Sequence, residues 1–337
     1  MINRSRAACQ AIRQREIPTN YTTCPLQCMA APVHTREVPV NVLLALLKTM
    51  RPRQWAKNVF VFAGIVFDQQ LILLESVVRV SITFVLLSLT ASAIYVLNDL
   101  VDIEKDRQHP TKRNRPLPSG ELPVRVAQIA AVLLPVLGIG GGFLLSPPLG
   151  FVLSAYYIIH VVYSFYLKNV VLLDIFAISA GFILRVIAGV VVISVRAFSP
   201  WLYMCMGLLS LFLAIGKRRQ EFVQLGDDAS KIRPAFAHYN MDLLNDMLRL
   251  VITATAIAYT LYATEAETAL IAPSLMLLTV PFVYYALFRY LYVIHVKGDG
   301  GDPTEVLYTD RPLQVSIVLW AGVVVLLLYF GDLLPGV

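Results

Sequence analysis

From about residue 58 onward the chain alternates long apolar runs with short polar breaks. The runs fall near 58–75, 77–98, 124–145, 149–167, 172–194, 199–216, 247–264, 269–290 and 313–332. Each is long enough to cross a hydrocarbon layer of about 30 Å as a helix, and none shows the strict alternation of a half-buried strand. The pattern predicts an all-α polytopic membrane protein of nine transmembrane helices, the first interrupted by Asp68, Gln69 and Gln70. Ahead of them, residues 41–57 set Val42, Leu43, Leu46, Leu47 and Met50 before a cluster of Arg51, Arg53, Trp55 and Lys57, the pattern of an interfacial helix. Residues 1–40 lack any apolar run and are expected to form a disordered extension. Arg4, Arg6, Arg13 and Arg15 would also suit an organellar transit peptide, and Met29 is an alternative start. One helical membrane domain then spans 58–335.

Composition sharpens this picture. At 57% apolar residues and a mean hydropathy of +0.67, a soluble domain is excluded. The formal net charge of +6 does not point to nucleic acid, because Lys and Arg collect in alternate loops and no zinc or RNA-binding pattern is present. Nine lie at or before Lys57, six between 99 and 125, then Lys168, five between 217 and 245 and three between 289 and 312; the opposite loops hold Arg79 and Arg196. That asymmetry predicts N-in, C-out. Cys9, Cys24 and Cys28 in the tail and Cys205 in a span form neither a zinc motif nor a disulfide framework.

The chemistry concentrates in Asn98–Gly120, between two spans. Spacings of three and four put Asp99, Asp102 and Asp106 on one helical face, where like charges repel unless cations sit among them. Hard divalent ions carrying a polyphosphate are the usual reason for such a face. The helix should end near Pro110, and Lys112, Arg113 and Arg115 can then fold back towards phosphate oxygens. Solvated charge at a span end is the plainer reading.

On the predicted cytoplasmic side, the stretch Tyr163–Asp174 carries Tyr163, Lys168 and Asp174 at the turn between two spans. Arg185 follows eleven residues later, about 16 Å deeper along a helix, and should meet a carboxylate or a phosphate there. Lys217, Arg218 and Arg219 end the sixth span, where positive-inside anchoring accounts for them and substrate contact by Lys217 or Arg218 is the other reading. His160 reads as an interhelical hydrogen-bonding group.

The pattern Asn98-Asp99-x-x-Asp102-x-x-x-Asp106, followed by Pro and basic residues, resembles the first motif of the UbiA-type intramembrane prenyltransferase superfamily. Within it, the decaprenyl-phosphate phosphoribosyltransferases are most similar, through the segments at Arg51, Asn98, Tyr163, Gly181 and Lys217. The resemblance implies a nine-helix bundle, Mg²⁺ held by Asp99, Asp102 and Asp106, and transfer of phosphoribose from 5-phosphoribosyl 1-diphosphate to a polyprenyl phosphate. It implies that Lys57, Asn98, Lys112, Arg115, Tyr163 and Lys168 position the donor, with Asp174 and Arg185 also in the substrate site and Asp102, Asp106 and Lys168 closest to catalysis. A bacterial plasma-membrane location with a cytoplasmic site, and a homo-oligomer, trimeric by resemblance alone, follow from the same source. One departure stands out: ordinary members carry a second acidic pair, whereas Asp174 has no acidic residue within four positions. An aromatic prenyltransferase using a prenyl diphosphate is the alternative, and a cation transporter a third reading; the latter would spread its acids through the midplane.

Overall fold

The computed structural model describes residues 41–193, 199–225, 234–265, 273–297 and 303–330. The expected extension at 1–40, with its transit-peptide and alternative-start readings, and Arg196, Lys231 and Arg233 lie outside the described residues. The described residues are helical, with no strand among them.

Helix α1, Val42–Met50, begins where the Asn41 side chain accepts from the amides of Leu43 and Leu44 at 3.2 and 3.4 Å. It stops before the interfacial helix expected over 41–57 would end. Pro52 disfavours helical backbone at Arg51, which adopts a left-handed φ of 56°. A 3₁₀ segment, Pro52–Phe62, follows, then a five-residue helix α2, Ala63–Phe67. The first apolar run, 58–75, is therefore not one continuous helix.

The long helices are α3 (Leu74–Val101), α5 (Val124–Leu145), α6 (Pro147–Phe165), α7 (Leu173–Val190), α8 (Pro200–Leu225), α9 (Met241–Glu265), α10 (Val280–Tyr292) and α11 (Arg311–Phe330), with the short α4 (Ile103–Gln108) after α3. Eight stretches are long and apolar enough to cross a membrane, α10 counting together with its flanking turns over Leu277–Lys297. Their outward faces are apolar, as at Ile129, Val132 and Leu144, which is how an integral membrane protein meets lipid.

Eleven residues is long for a 3₁₀ helix, and its three-residue period has a consequence: Trp55, Asn58 and Val61 fall in one row. That row packs between α3 and α7. Val61 is fully buried in a core with Ile65, Leu87, Leu149, Tyr156 and Ala188. The approach to α7 is backbone to backbone, since a Cβ built on Gly189 would lie 1.8 Å from the Val61 carbonyl oxygen. Only glycine fits there. At about 1.5 Å per residue the 28-residue α3 is some 42 Å long, more than the hydrocarbon layer needs, so its last turn delivers Asn98 and Asp99 to the boundary.

Candidate active site

The acidic motif does not form one continuous helical face. Helix α3 ends at Val101, and Asp102 leaves helical geometry at φ −92°, ψ 8°, before α4 begins. The break turns α4 back, so Asp106 returns towards Asp99. Both carboxylates are buried, and both converge on one nitrogen: Arg115 Nη1 lies 3.3 Å from Asp99 Oδ1 and 2.7 Å from Asp106 Oδ2. The basic segment does fold back, as its position after Pro110 suggested. Lys112 Nζ adds a 3.8 Å contact to Asp106, and Arg51 Nη2 donates to Asp99 Oδ1 at 2.6 Å while stacking over Tyr95. Asp102 stands apart, 39% exposed and 3.8 Å from Lys105.

Among the described residues no three His, Cys, Asp or Glu groups gather in metal-binding geometry. The donor set still suits Mg²⁺, which is commonly held by one or two carboxylates with water and substrate phosphates completing its shell. Two buried carboxylates sharing one cationic group meet that description. Asp99 and Asp106 would hold the ion, and Asp102 could reach it through water.

A second polar row ties the 3₁₀ segment to this motif. Trp55 Nε1 donates to Ser92 Oγ at 3.0 Å, and Asn58 Nδ2 donates to Ser88 Oγ at 2.9 Å. On the other side, Arg185 Nε donates to Asn58 Oδ1 at 2.9 Å and its Nη2 to the Tyr156 hydroxyl at 2.8 Å. Among the described residues the partners of Arg185 are thus two neutral acceptors and the rings of Tyr156 and Phe182, each about 5 Å away, and not a carboxylate. Burial is bearable because the spread charge is solvated by rings and hydrogen bonds. The hydrogen bond of His160 is not the expected interhelical one: Nδ1 lies 2.9 Å from the Tyr156 carbonyl on the same helix, while its ring fills the space that a Cβ on Gly181 of α7 would need.

The third constellation closes the turn between α6 and α7. Lys168 sits half-buried in a short 3₁₀ turn, Leu167–Asn169. Asp174, at the start of α7, is buried; its Oδ1 accepts from the Tyr239 hydroxyl at 2.8 Å and its Oδ2 forms an ion pair with Arg218. Arg218 is 0% exposed, and it also donates to the Tyr163 hydroxyl at 2.8 Å and to Glu221 at 2.5 Å. Arg219, its neighbour, points to different elements and donates to Asn245 at 2.8 Å and to the Ile294 carbonyl at 3.2 Å. Membrane anchoring therefore describes neither residue. One clue lay in the sequence: apolar residues continue to Phe222, Val223 and Leu225, so these cations sit inside a helix and not at its end. Lys57 and Asn98 are half-buried, Lys57 next to Asn58 and Asn98 one residue before Asp99.

Burial raises the Tyr239 hydroxyl well above the usual tyrosine range, with the Asp174 carboxylate adding to the shift, so Tyr239 stays a donor at any working pH.

These features define a class: an all-helical integral membrane enzyme whose site pairs buried carboxylates with cations at a span end. Residues 59–302 match the UbiA prenyltransferase family, and the chain belongs to it. It is 33% identical over 305 residues to the decaprenyl-phosphate phosphoribosyltransferase of Mycobacterium tuberculosis, covering 87% of this chain and 97% of that one. To the Corynebacterium glutamicum protein of the same name it is 35% identical over 305 residues, covering 87% and 90%. The fold matches a UbiA homologue from Archaeoglobus fulgidus bound to GPP and Mg²⁺, with a TM-score of 0.63 at 18% identity over 84% of this chain and 99% of that one. The chain is accordingly a transferase.

Proposed function

We propose that the chain transfers the 5-phosphoribosyl group from 5-phosphoribosyl 1-diphosphate to a polyprenyl phosphate of the decaprenyl type, releasing pyrophosphate. Identity to phosphoribosyltransferases over most of both chains supports the reaction. One structural observation carries the choice of donor. Asp174 is occupied by Arg218 and Tyr239, so in place of a second acidic pair the α6–α7 wall presents the half-buried Lys168. Such a wall suits a donor bearing a 5-phosphate besides its diphosphate.

An oxygen of the acceptor's phosphate attacks C1 of the ribose as the bond to the diphosphate breaks, and the pyrophosphate leaves with that bonding pair. The acceptor is already anionic, so no general base is needed. Asp99 and Asp106 would hold Mg²⁺, with Asp102 reaching it through water, and the ion when bound would neutralise charge building on the departing diphosphate. Lys112 and Arg115 lie beside those carboxylates and can turn to phosphate oxygens, while Lys57, Asn98, Tyr163 and Lys168 hold the sugar and the 5-phosphate. Arg185 acts at a distance by fixing Asn58 and the segment that carries Lys57. The isoprenoid tail lies in lipid between spans, with the site on the cytoplasmic face of a bacterial plasma membrane. Residues 41–57 form the boundary element, and 58–335 the transferase domain with its ninth crossing at the 58–75 run.

The test is label transfer. Purified chain in lipid, given phosphoribosyl-labelled donor, polyprenyl phosphate and Mg²⁺, should move label into the lipid phase. Prenyl transfer to an aromatic acid in its place would favour the aromatic-prenyltransferase alternative.

A further inference from the structure

The turn that carries Lys168 is built from an unfavourable backbone. Leu172 adopts φ 66°, ψ −43°, a region that branched side chains avoid and that persists only where surrounding contacts over-determine it. Those contacts come from distant elements. The Leu172 amide donates to the Tyr239 hydroxyl at 2.8 Å, and that hydroxyl donates onward to Asp174 Oδ1 at 2.8 Å. Asp174 Oδ2 is paired with Arg218, whose Nη2 reaches back to Tyr163 on α6 at 2.8 Å. The three nitrogens of one guanidinium thus face three acceptors: Asp174 after the turn, Tyr163 before it, and Glu221 on α8 itself. Phe236, just before Tyr239, lies under the guanidinium with its ring centre 5.9 Å away. Both ends of the Tyr163–Asp174 stretch are held, and Lys168 sits between them.

With no solvent exposure, its Nη1 and Nη2 hydrogen-bonded to Glu221 and Tyr163 and its Nε ion-paired with Asp174, Arg218 is closed to a substrate. We infer that Arg218, with Tyr239, is a positioning residue: it clamps the α6–α7 turn from α8 and so fixes Lys168 for the donor's phosphate. A planar fork is needed for this. A lysine would keep the charge but could not serve acceptors on both sides of the turn in fixed directions. The inference rests on the proposed donor, whose phosphate is what Lys168 would hold.

The test uses the full chain in lipid or detergent and two readouts. The first, independent of substrate, is amide hydrogen exchange over 166–174. Tyr239→Phe removes one hydroxyl and keeps the ring, so it should fold; exchange there should rise by about tenfold or more while the spans exchange as in the parent. Arg218→Lys should do the same. The second readout is kinetic: both variants should raise KM for phosphoribosyl diphosphate severalfold, leaving KM for polyprenyl phosphate unchanged. In a Lys168→Ala background, Tyr239→Phe should add nothing further to donor KM. Unchanged exchange over 166–174, full donor affinity in Arg218→Lys, or additive effects in the double variant would each overturn the clamp. A parent chain that transfers no phosphoribosyl group would instead overturn the proposed reaction, whatever the exchange shows.

Discussion

Replacing Gly189 by alanine tests how the 3₁₀ segment is held. Helix propensity alone favours alanine by about 1 kcal/mol. The structure reverses that sign: the new Cβ would lie 1.8 Å from the Val61 carbonyl oxygen and 2.8 Å from its carbon, where real Cβ atoms stay beyond 3.0 Å. Both partners are backbone, so no side chain can rotate away, and the elements must part by roughly 1.2 Å, the gap between the first and last of those distances. Overpacking of this kind costs typically ~1–3 kcal/mol, and this contact belongs at the upper end, for a net loss of about 1–2 kcal/mol after propensity. Activity should suffer more. Asn58 lies three residues from Val61 on the segment, and a shift of about an ångström breaks its 2.9 Å bond from Arg185 and moves Lys57; misplacement on that scale can cost about 100-fold in rate. Thermal unfolding in detergent and label transfer would be read side by side, with Gly322→Ala as the control, since nothing lies within 4 Å of a Cβ there. If Gly189→Ala unfolds and turns over like the control, the close approach of the 3₁₀ segment to α7 is wrong.

Three further predictions follow from the charged clusters. Asp102→Ala and Asp106→Asn should each abolish turnover while the chain stays folded and membrane-inserted; a fully active variant would sink the metal assignment. Lys168→Ala should weaken phosphoribosyl diphosphate binding by about tenfold or more, as losing a charge-assisted contact does, with acceptor binding intact; the reverse pattern would place the two substrates the other way round. Asp310, which caps α11, accepts from Arg289 at 3.0 and 2.9 Å and from Lys297 at 2.9 Å, and these bonds hold its carboxyl well below the ordinary value of 3.8. A depressed carboxyl contributes its stability above the unfolded value and loses it as pH falls towards the folded one. The stability gap between the parent and Asp310→Asn should therefore be constant from pH 8 to about pH 5 and narrow below about pH 4; a gap that changes between pH 8 and 6 would contradict the assignment.

The spans were legible because apolar length is a local property, and eight long helices match the expected runs. The acidic motif was legible for the same reason: four polar residues after an apolar run can only lie at its end. What local pattern could not carry was direction. Arg218 and Arg219 are adjacent in sequence, yet one reaches the α6–α7 turn and the other α9 and the end of α10. Asp99, Asp102 and Asp106 have the spacing of one face, but the backbone break at Asp102 pairs the first with the third. Spacing gave the depth of Arg185 and the need for a partner there, but not that Asn58 and Tyr156 meet it. Tyr239 had no signal at all: its role exists only once the segment before α9 is laid against the turn at Leu172.

The most direct measurement remains transfer itself. Purified chain in lipid, with phosphoribosyl-labelled diphosphate donor, polyprenyl phosphate and Mg²⁺, should give label in the lipid phase and stoichiometric pyrophosphate, both lost on adding EDTA. Lipid that stays unlabelled, while the same preparation moves a prenyl group from a prenyl diphosphate to an aromatic acid, would contradict the phosphoribosyl donor and return the cationic wall around Asp174 to an unexplained feature.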